Sequence, residues 1–402
     1  MIVPRCSDLF NYYTARRVNT ETVIHVLTCL SSVRCATPEH QYMTSATDIS
    51  ELDPVGLEVV MKGMGVRSFH ARQIYKWIYQ QGITDFDQMS DLSLTLRRQL
   101  VKRFVVGTLT VSNRQRSTDG TEKFLLRLSD GQLIESVFIP DTPKQTFCVS
   151  TQVGCSMRCS FCLTGKMKLV RNLTAGEIVG QVRLLAHSLR LADKNFNVVF
   201  MGMGEPLHNY DATMKALRIL TNKNGFAVPP RRITVSTVGV PSGLRRLANE
   251  SIMPNLAVSL HASTEELRNR LVPVNRTVGL ADVIEACRQL PLTKRRRLTF
   301  EYVLLGHVND SVQDAWRLQE LLRGLKAKVN LIPLNEASEI SFRRPSDVRV
   351  NRFARTLSDG GMTVSVRKSR GRDIRAACGQ LIVEGDVACT ESKEAQTHPP
   401  VT

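Results

Sequence analysis

Three closely spaced cysteines carry the clearest chemical signal in this sequence. Cys155, Cys159 and Cys162 have the spacing C-x3-C-x2-C, and a glycine flanks the run on either side. Cysteine thiolates are soft ligands that hold iron–sulfur clusters or zinc. A structural zinc site needs four ligands, and no further cysteine or histidine stands at a matching spacing. Three thiolates on a four-iron cluster would leave one iron open for a reacting molecule.

The other cysteines do not form a disulfide framework. Ten cysteines in 402 residues are too sparse for a disulfide scaffold, and those outside the cluster motif are scattered. The first residues lack the continuous apolar stretch of a signal peptide. We therefore predict a cytoplasmic protein, in which thiols are free, catalytic or metal-bound.

Cys148 and Cys378 are candidates for a chemical role. Cys148 lies seven residues before Cys155 on a predicted strand, which brings it near the cluster motif. Cys378 follows the basic stretch Arg367–Arg372, and cationic neighbours lower the pKa of a thiol and make it nucleophilic. Composition alone favours two buried, inert cysteines instead.

Several polar residues stand at or near the ends of predicted strands. Gly204 leaves room for a ligand close to the backbone, and the carboxylate of Glu205 can accept a hydrogen bond from an ammonium group. The other candidates at such positions are Ser236, Ser259, His261 and Asn335. Residues at the carboxyl ends of parallel strands meet at one rim, where active sites form.

The elements that would position these residues follow a repeating pattern. From about residue 146, short apolar strands alternate with longer helical segments, one of which begins at Thr174 with Glu177 in a capping box. This alternation predicts a parallel α/β sheet, and six strands indicate a partial (β/α)6 barrel. The predicted strands are Phe147–Val153, Asn197–Met203, Arg232–Val238, Asn255–His261, Arg297–Leu305 and Ala327–Leu334.

The rest of the chain divides by composition and periodicity. We predict a poorly ordered extension over 1–42, a small basic helical accessory domain over 43–105, an antiparallel strand linker over 106–145, the barrel over 146–385 and a polar tail over 386–402. The resemblance described below implies that the helical domain binds RNA and that the barrel is catalytic.

Net charge points to a polyanionic partner. Lysine and arginine number 54 against 37 aspartate and glutamate, giving +17, so nucleic acid is the first expectation and an anionic membrane the second. No apolar run approaches the roughly 18 residues of a membrane span. Phosphates could be bound by the basic clusters Lys294–Arg297, Arg343–Arg344 and Arg367–Arg375.

The cysteine spacing after the first barrel strand resembles the radical S-adenosylmethionine (SAM) superfamily. More narrowly, residues from about 50 to 385 resemble the RlmN family of RNA adenine C2 methyltransferases. The matching stretches are Phe147–Cys155, Met201–Leu207, Val258–Ala262, Asn330–Asn335 and Arg367–Arg372 leading into Ala376–Leu381.

This resemblance implies a set of cofactors and contacts. Cys155, Cys159 and Cys162 would hold a 4Fe–4S cluster, whose open iron binds SAM, and each turnover would use two SAM molecules. The residues implied to contact SAM are Gly204, Glu205, Ser236, Ser259, Leu260, His261 and Asn335.

The resemblance also implies distinct roles for three catalytic residues. Cys378 would receive a methyl group from one SAM, and a radical from a second SAM would activate that methyl for addition to adenine C2. Glu135 would remove the C2 proton, and its presence favours C2 over the C8-directed Cfr type. Cys148 would release the product and leave a transient Cys148–Cys378 disulfide bond.

The implied substrates are 23S ribosomal RNA, in the peptidyl transferase region, and tRNA. The implied partner is an electron donor such as flavodoxin. No membrane contact is expected, and the chain is expected to be a monomer. A C8-directed enzyme and a non-catalytic iron–sulfur RNA-binding protein remain as alternatives, although simple binding needs neither Cys148 nor Cys378.

Overall fold

The computed structural model of the chain describes residues 46–140, 145–293 and 296–383. The predicted extension over 1–42 and the predicted tail over 386–402 lie outside these residues. Within them, residues from Ala46 onward belong to one compact unit. No helix of the described residues is long and apolar enough to cross a membrane.

Helices form the first part of the described chain, as the periodicity of 52–104 predicts. Asp53 caps the first helix by accepting a hydrogen bond from the Gly56 N–H, and Ser93 caps the third in the same way. A π-helical turn, Lys76–Gln80, extends the second helix. The three helices are α1 (Pro54–Gly63), α2 (Phe69–Tyr75) and α3 (Leu94–Arg103), flanked by the short parallel strands β1 (Thr47–Asp48) and β2 (Phe104–Val105).

A ten-stranded sheet dominates the described part of the chain, in the order β14-β13-β12-β11-β10-β9-β6-β5-β4-β3. Two further short strands, β7 (Gln152–Val153) and β8 (Arg171–Asn172), pair with each other beside it. The strands of the large sheet are β3 (Thr110–Arg116), β4 (Glu122–Arg127), β5 (Leu133–Ile139), β6 (Thr146–Cys148), β9 (Asn197–Phe200), β10 (Ile233–Thr237), β11 (Asn255–Ser259), β12 (Leu298–Leu304), β13 (Ala327–Pro333) and β14 (Thr363–Val366).

The parallel half of this sheet confirms the predicted α/β class. Strands β9 to β13 coincide with predicted strands and end one to three residues earlier. The predicted strand over 147–153 is divided into β6 and β7, because the Thr151 N–H bonds to the carbonyl of Met203 beyond the end of β9. A seventh parallel strand, β14, was missed because its solvent-exposed side chains give no apolar run.

The antiparallel strands β3, β4 and β5 extend the same sheet. Strand β5 pairs with β6 in the register Val137–Cys148, so the residues of β5 lie beside the first barrel strand. The region predicted as a linker is therefore continuous with the barrel sheet, and it brings Glu135 to the neighbourhood of Cys148.

In the described part of the chain, seven helices connect and cover the parallel strands. The predicted capping box is present, with Thr174 and Glu177 each bonding the other's backbone N–H. Apolar side chains of these helices and of one face of the central strands form a large core, and apolar residues of the other face, such as Val303 and Ile332, form a second cluster with the cysteine loop. The helices are α4 (Ala175–Ser188), α5 (Tyr210–Thr221), α6 (Pro241–Leu247), α7 (Glu265–Leu271), α8 (Leu280–Arg288), α9 (Val312–Leu321) and α10 (Asp347–Asp359).

Candidate active site

The cysteine motif lies in the loop between β7 and β8. Gly154 begins the loop with φ of 77°, and a Cβ there would collide with the carbonyl of Lys168, so the position requires glycine. Cys155, Cys159 and Cys162 line one cavity of about 160 Å³ at the carboxyl ends of the parallel strands. The predicted grouping of the three thiols is therefore present.

The thiols of the motif suit a thiolate-bound cluster. Burial raises the pKa of Cys155 to about 12 and raises that of Cys159 and Cys162, and the thiols also raise one another's pKa by charge repulsion. Such thiols become thiolates when a cation binds them. Among the described residues, no group of three or more histidine, cysteine or acidic side chains is arranged around a single metal ion.

Glu205 faces this cavity from the turn after β9. Its two carboxylate oxygens accept hydrogen bonds from the N–H groups of Leu207 (3.0 Å) and Val238 (2.8 Å). Burial raises the pKa of Glu205, and these two bonds oppose the shift. A buried carboxylate in this position can still accept from a ligand ammonium, because each oxygen has a second lone pair.

His261 follows β11 and has an unusual backbone conformation. Its φ is 61°, in the left-handed region that non-glycine residues rarely adopt. The Val303 N–H donates to Nδ1 at 3.0 Å, so the neutral ring carries its proton on Nε2. Burial lowers the pKa of His261 to about 3. The ring is therefore a fixed, neutral hydrogen-bond donor at the cavity wall.

The remaining predicted SAM contacts divide into two groups. Gly204, Ser236 and Ser259 line the cavity with His261. Leu260 is fully buried, outside the cavity lining, and its N–H bonds to the carbonyl of Glu301. The structure thus places Leu260 behind the cavity wall, where its backbone is bonded within the protein.

Asn335 presents an acceptor to the cavity. It is 6% exposed, and its Nδ2 donates to the carbonyl of Cys378 at 3.1 Å. Its Oδ1 has no hydrogen-bond partner among the described residues. A buried oxygen without a partner is costly unless a ligand donates to it. Hydroxyl and ammonium groups such as those of SAM provide such donors, so the residues present fit SAM.

Cys378 belongs to the segment that follows β14, close to the cysteine loop. The Leu163 N–H donates to the carbonyl of Gly379 at 2.7 Å, and the hydroxyl of Thr164 donates to the carbonyl of Leu381 at 2.6 Å. These bonds tie the Cys378 segment to the loop that carries Cys162. Cys378 therefore lines the same cavity as the three motif cysteines.

A second cavity, of about 450 Å³, adjoins the first. Cys148 and Cys378 both line it, and neither forms a disulfide. Cys148 is 8% exposed, and burial raises its pKa to about 12, with a further contribution from the charge of Cys378. The pairing of these two thiols that the family resemblance implies is consistent with this shared cavity.

Arg367 and Glu301 line the first cavity, and sequence reasoning did not assign either to the site. The guanidinium of Arg367 lies between the two cavities, where the charges of Cys378, Glu301 and Cys148 raise its pKa. Burial raises the pKa of Glu301, which accepts a hydrogen bond from Asn330 at 2.8 Å. The sequence feature that could have identified Glu301 is its position as a single carboxylate among the apolar residues of strand β12.

Glu135 lies outside both cavities that contain cysteines. It is 3% exposed, and its carboxylate forms an ion pair with Lys123 (2.9 Å) and accepts from the Ile382 N–H (2.9 Å). It lines a separate cavity of about 380 Å³. The structure therefore does not bring Glu135 together with the thiols, although Val137, two residues along the same face of β5, lines the cavity of Cys148.

The predicted basic clusters have several different environments. Arg344 forms an ion pair with Asp347, and Arg375 forms one with Glu339. Lys368 and Arg370 line the second cavity, beside Cys148 and Cys378. Of the cluster 294–297, residues 294 and 295 lie outside the described part of the chain.

Comparisons with known proteins agree with this geometry. Residues 47–106 match the family model "Ribosomal RNA large subunit methyltransferase N-terminal domain", and residues 149–318 match the radical SAM superfamily. The crystal structure of a radical SAM methyltransferase from Sphaerobacter thermophilus superposes with a TM-score of 0.79 at 47% identity, covering 83% of this chain and 99% of that one.

Two curated relatives extend over most of the chain. The dual-specificity RNA methyltransferase RlmN of Geobacter sulfurreducens is 49% identical over 339 residues, 84% of this chain and 93% of the relative. The RlmN of Syntrophotalea carbinolica is 51% identical over 323 residues, 80% of this chain and 85% of the relative. The chain therefore belongs to the RlmN family of dual-specificity RNA methyltransferases.

Proposed function

We propose that this protein is a SAM-dependent RNA (adenine-C2)-methyltransferase that acts on 23S ribosomal RNA and on tRNA through an S-methylcysteine. The observation that carries the proposal is the position of Cys378. It lines the cavity of the three motif cysteines and also the cavity of Cys148. A thiol that first receives a methyl group and then delivers it needs access to both spaces.

The residues of the first cavity would bind the cofactors. Cys155, Cys159 and Cys162 hold the 4Fe–4S cluster, and the strand-end residues from Gly204 to Asn335 hold SAM. When bound, this cluster and SAM supply the radical that removes a hydrogen atom from a methyl group. The neutral ring of His261 and the unpartnered oxygen of Asn335 orient SAM by hydrogen bonds.

The thiols would act in a fixed order. The sulfur of Cys378 takes the methyl group from SAM and carries it to the adenine, whose C2 lacks the lone pair that ordinary methyl transfer needs. The sulfur of Cys148 then gives up its proton and attacks that of Cys378, so the S–S bond forms as the bond to the product carbon breaks. That carbon keeps the electron pair and takes up a proton to become the methyl group, and an external thiol reductant would restore both thiols. Arg367 offers a positive charge beside both thiols while they react.

The second cavity is our proposed position for the target adenine. Its volume of about 450 Å³ would accommodate a base flipped out of its stack, and Lys368 and Arg370 at its wall would contact phosphates. Exposed basic side chains of α3, among them Arg98 and Lys102, would add contacts from the accessory domain.

Product mapping tests this function. Anaerobically reconstituted protein, incubated with a reductant, SAM bearing a deuterated methyl group and ribosomal RNA, should produce 2-methyladenosine detectable by nucleoside mass spectrometry. Cys159→Ala should lose cluster iron and all product. A product methylated at C8 would replace the proposed function with the C8-directed alternative, and RNA binding without any methylation would favour a non-catalytic role.

The proposed phosphate contacts predict a salt-dependent effect. Replacing Lys368 and Arg370 together by alanine should lower the slope of log affinity for RNA against log salt by about 2, since each phosphate contact contributes about 0.9. Filter binding over a range of salt concentrations measures this slope. Arg352→Ala, an exposed arginine on α10, is the matched control and should leave it unchanged. An unaltered slope in the double variant would remove these two residues from the RNA interface.

The reaction also needs an external electron. We assign this role to a reduced donor such as flavodoxin, which the net charge of +17 would attract if the donor is acidic. Free thiols at the site, and an RNA substrate, are consistent with a monomer acting in the cytoplasm.

A further inference from the structure

Arg268 is a charged side chain enclosed in the protein interior. It lies on α7, is 1% exposed and is among the largest fully buried side chains of the described residues. Burial of a charge is expensive unless the group is fully hydrogen-bonded. An arginine kept in such a place indicates that its hydrogen bonds or its charge serve the neighbouring residues.

The guanidinium of Arg268 bonds to the backbone of two adjacent strand ends. Its Nε donates to the carbonyl of Leu260 at 3.2 Å, and its Nη2 donates to the carbonyl of Ser259 at 3.3 Å and to that of Val238. Its Nη1 donates to Oδ1 of Asn275. One planar group thus links the end of β11 to the residue that follows β10.

These bonds hold a segment whose backbone is strained. His261, with its φ of 61°, directly follows the two carbonyls that Arg268 binds. On the other side, Asn309 donates to the His261 carbonyl at 2.8 Å and Val303 donates to the His261 ring. A residue in this conformation persists only when its surroundings fix it. Arg268 fixes the carbonyls of residues 259 and 260 in those surroundings, while the carbonyl of Glu301 holds the Leu260 N–H.

We infer that Arg268 is a positioning residue that holds the strand ends at Val238 and at Ser259–Leu260 in the geometry that binds SAM. This inference rests on the proposed function, because it assumes that these strand ends bind SAM.

Two substitutions test the positioning role. Arg268→Lys cannot reach all four acceptors, so its affinity for SAM should fall about tenfold or more. Arg268→Met makes none of these bonds, so its affinity for SAM should fall at least as far. Equilibrium dialysis with labelled SAM measures the affinity on cluster-loaded protein. The EPR spectrum of the reduced cluster without SAM should stay that of the wild type, which separates a loss of SAM binding from damage to the cluster.

Arg270→Met is the matched control, because Arg270 is exposed on the same helix. It should change neither the affinity for SAM nor the spectrum of the cluster. If Arg268→Met does not fold by circular dichroism, Arg268→Lys decides the positioning role alone. Wild-type affinity for SAM in a folded Arg268→Lys would overturn that role, and so would an altered cluster spectrum without SAM that accounts for the lost affinity. Failure of the wild-type protein to bind a cluster or SAM would instead refute the proposed function.

Discussion

The Cys378→Ala variant should make neither methylated RNA nor a covalent RNA–protein adduct, whereas Cys148→Ala should accumulate the adduct. In the proposed order Cys378 begins the reaction and Cys148 ends it, so the losses occur at different stages. Each variant should lower product formation at least about a thousandfold, as expected when a nucleophile is removed. Gel electrophoresis, with and without ribonuclease, detects the adduct, and nucleoside mass spectrometry measures the product.

Cys287 provides the matched control for both thiols. It is a free cysteine on α8 with 1% exposure, and it lines neither of the two cysteine cavities. Cys287→Ala should lower the free energy of unfolding by about 1 kcal/mol through lost packing and leave methylation intact. Loss of activity in this variant would mean that alanine at any buried cysteine disrupts the fold.

Either of two results would contradict the assigned order. An RNA adduct in Cys378→Ala would show that another residue carries the methyl group. A folded Cys148→Ala with bound cluster, full Cys378 methylation and no adduct would show that Cys148 acts before the RNA is joined.

The sequence predicted the parts of the site that depend on local pattern. The C-x3-C-x2-C loop, and the strand ends at Gly204, Ser259 and Asn335, follow from spacing and from the alternation of strands with helices. Parallel strands bring their carboxyl ends to one rim, so identifying the strands was enough to group these residues.

Residues whose roles depend on tertiary packing were not predictable. Arg268 stands among three other charged residues of Glu265–Arg270, a pattern typical of an exposed helix, and only the packing of α7 against the ends of β10 and β11 buries it. Arg367 was counted among phosphate-binding residues, yet it faces the thiols because β14 pairs with β13. Such facts depend on contacts between distant segments, which periodicity does not encode.

The environment of Glu135 is compatible with two roles, as a positioning residue for the Cys378 segment and as the base that removes the C2 proton. Its carboxylate bonds to the Ile382 N–H in the segment that carries Cys378, which would position that segment. Val137 lines the cavity proposed for the adenine and lies about 7 Å from Glu135 along β5. Leu381 lines that same cavity, while Ile382 lines the cavity of Glu135. A role as base therefore requires residues 381–382 to move, or water to pass the proton between the cavities.

Glu135→Gln should methylate Cys378 and form the RNA adduct, but should release product about 10²- to 10⁴-fold more slowly, as expected on loss of a general base. Glutamine still accepts from the Ile382 N–H, so the Cys378 segment keeps its anchor while the side chain can no longer take a proton.

Because the substitution leaves Lys123 buried without its ion-pair partner, the double variant Lys123→Gln/Glu135→Gln serves as the control and should stall at the same stage. Adduct formation and product release, followed together in single-turnover experiments, distinguish the two roles. Normal product release in Glu135→Gln would show that Glu135 is a positioning residue and not the base. If Glu135→Gln stalls but the double variant does not, the defect comes from the unpaired charge of Lys123.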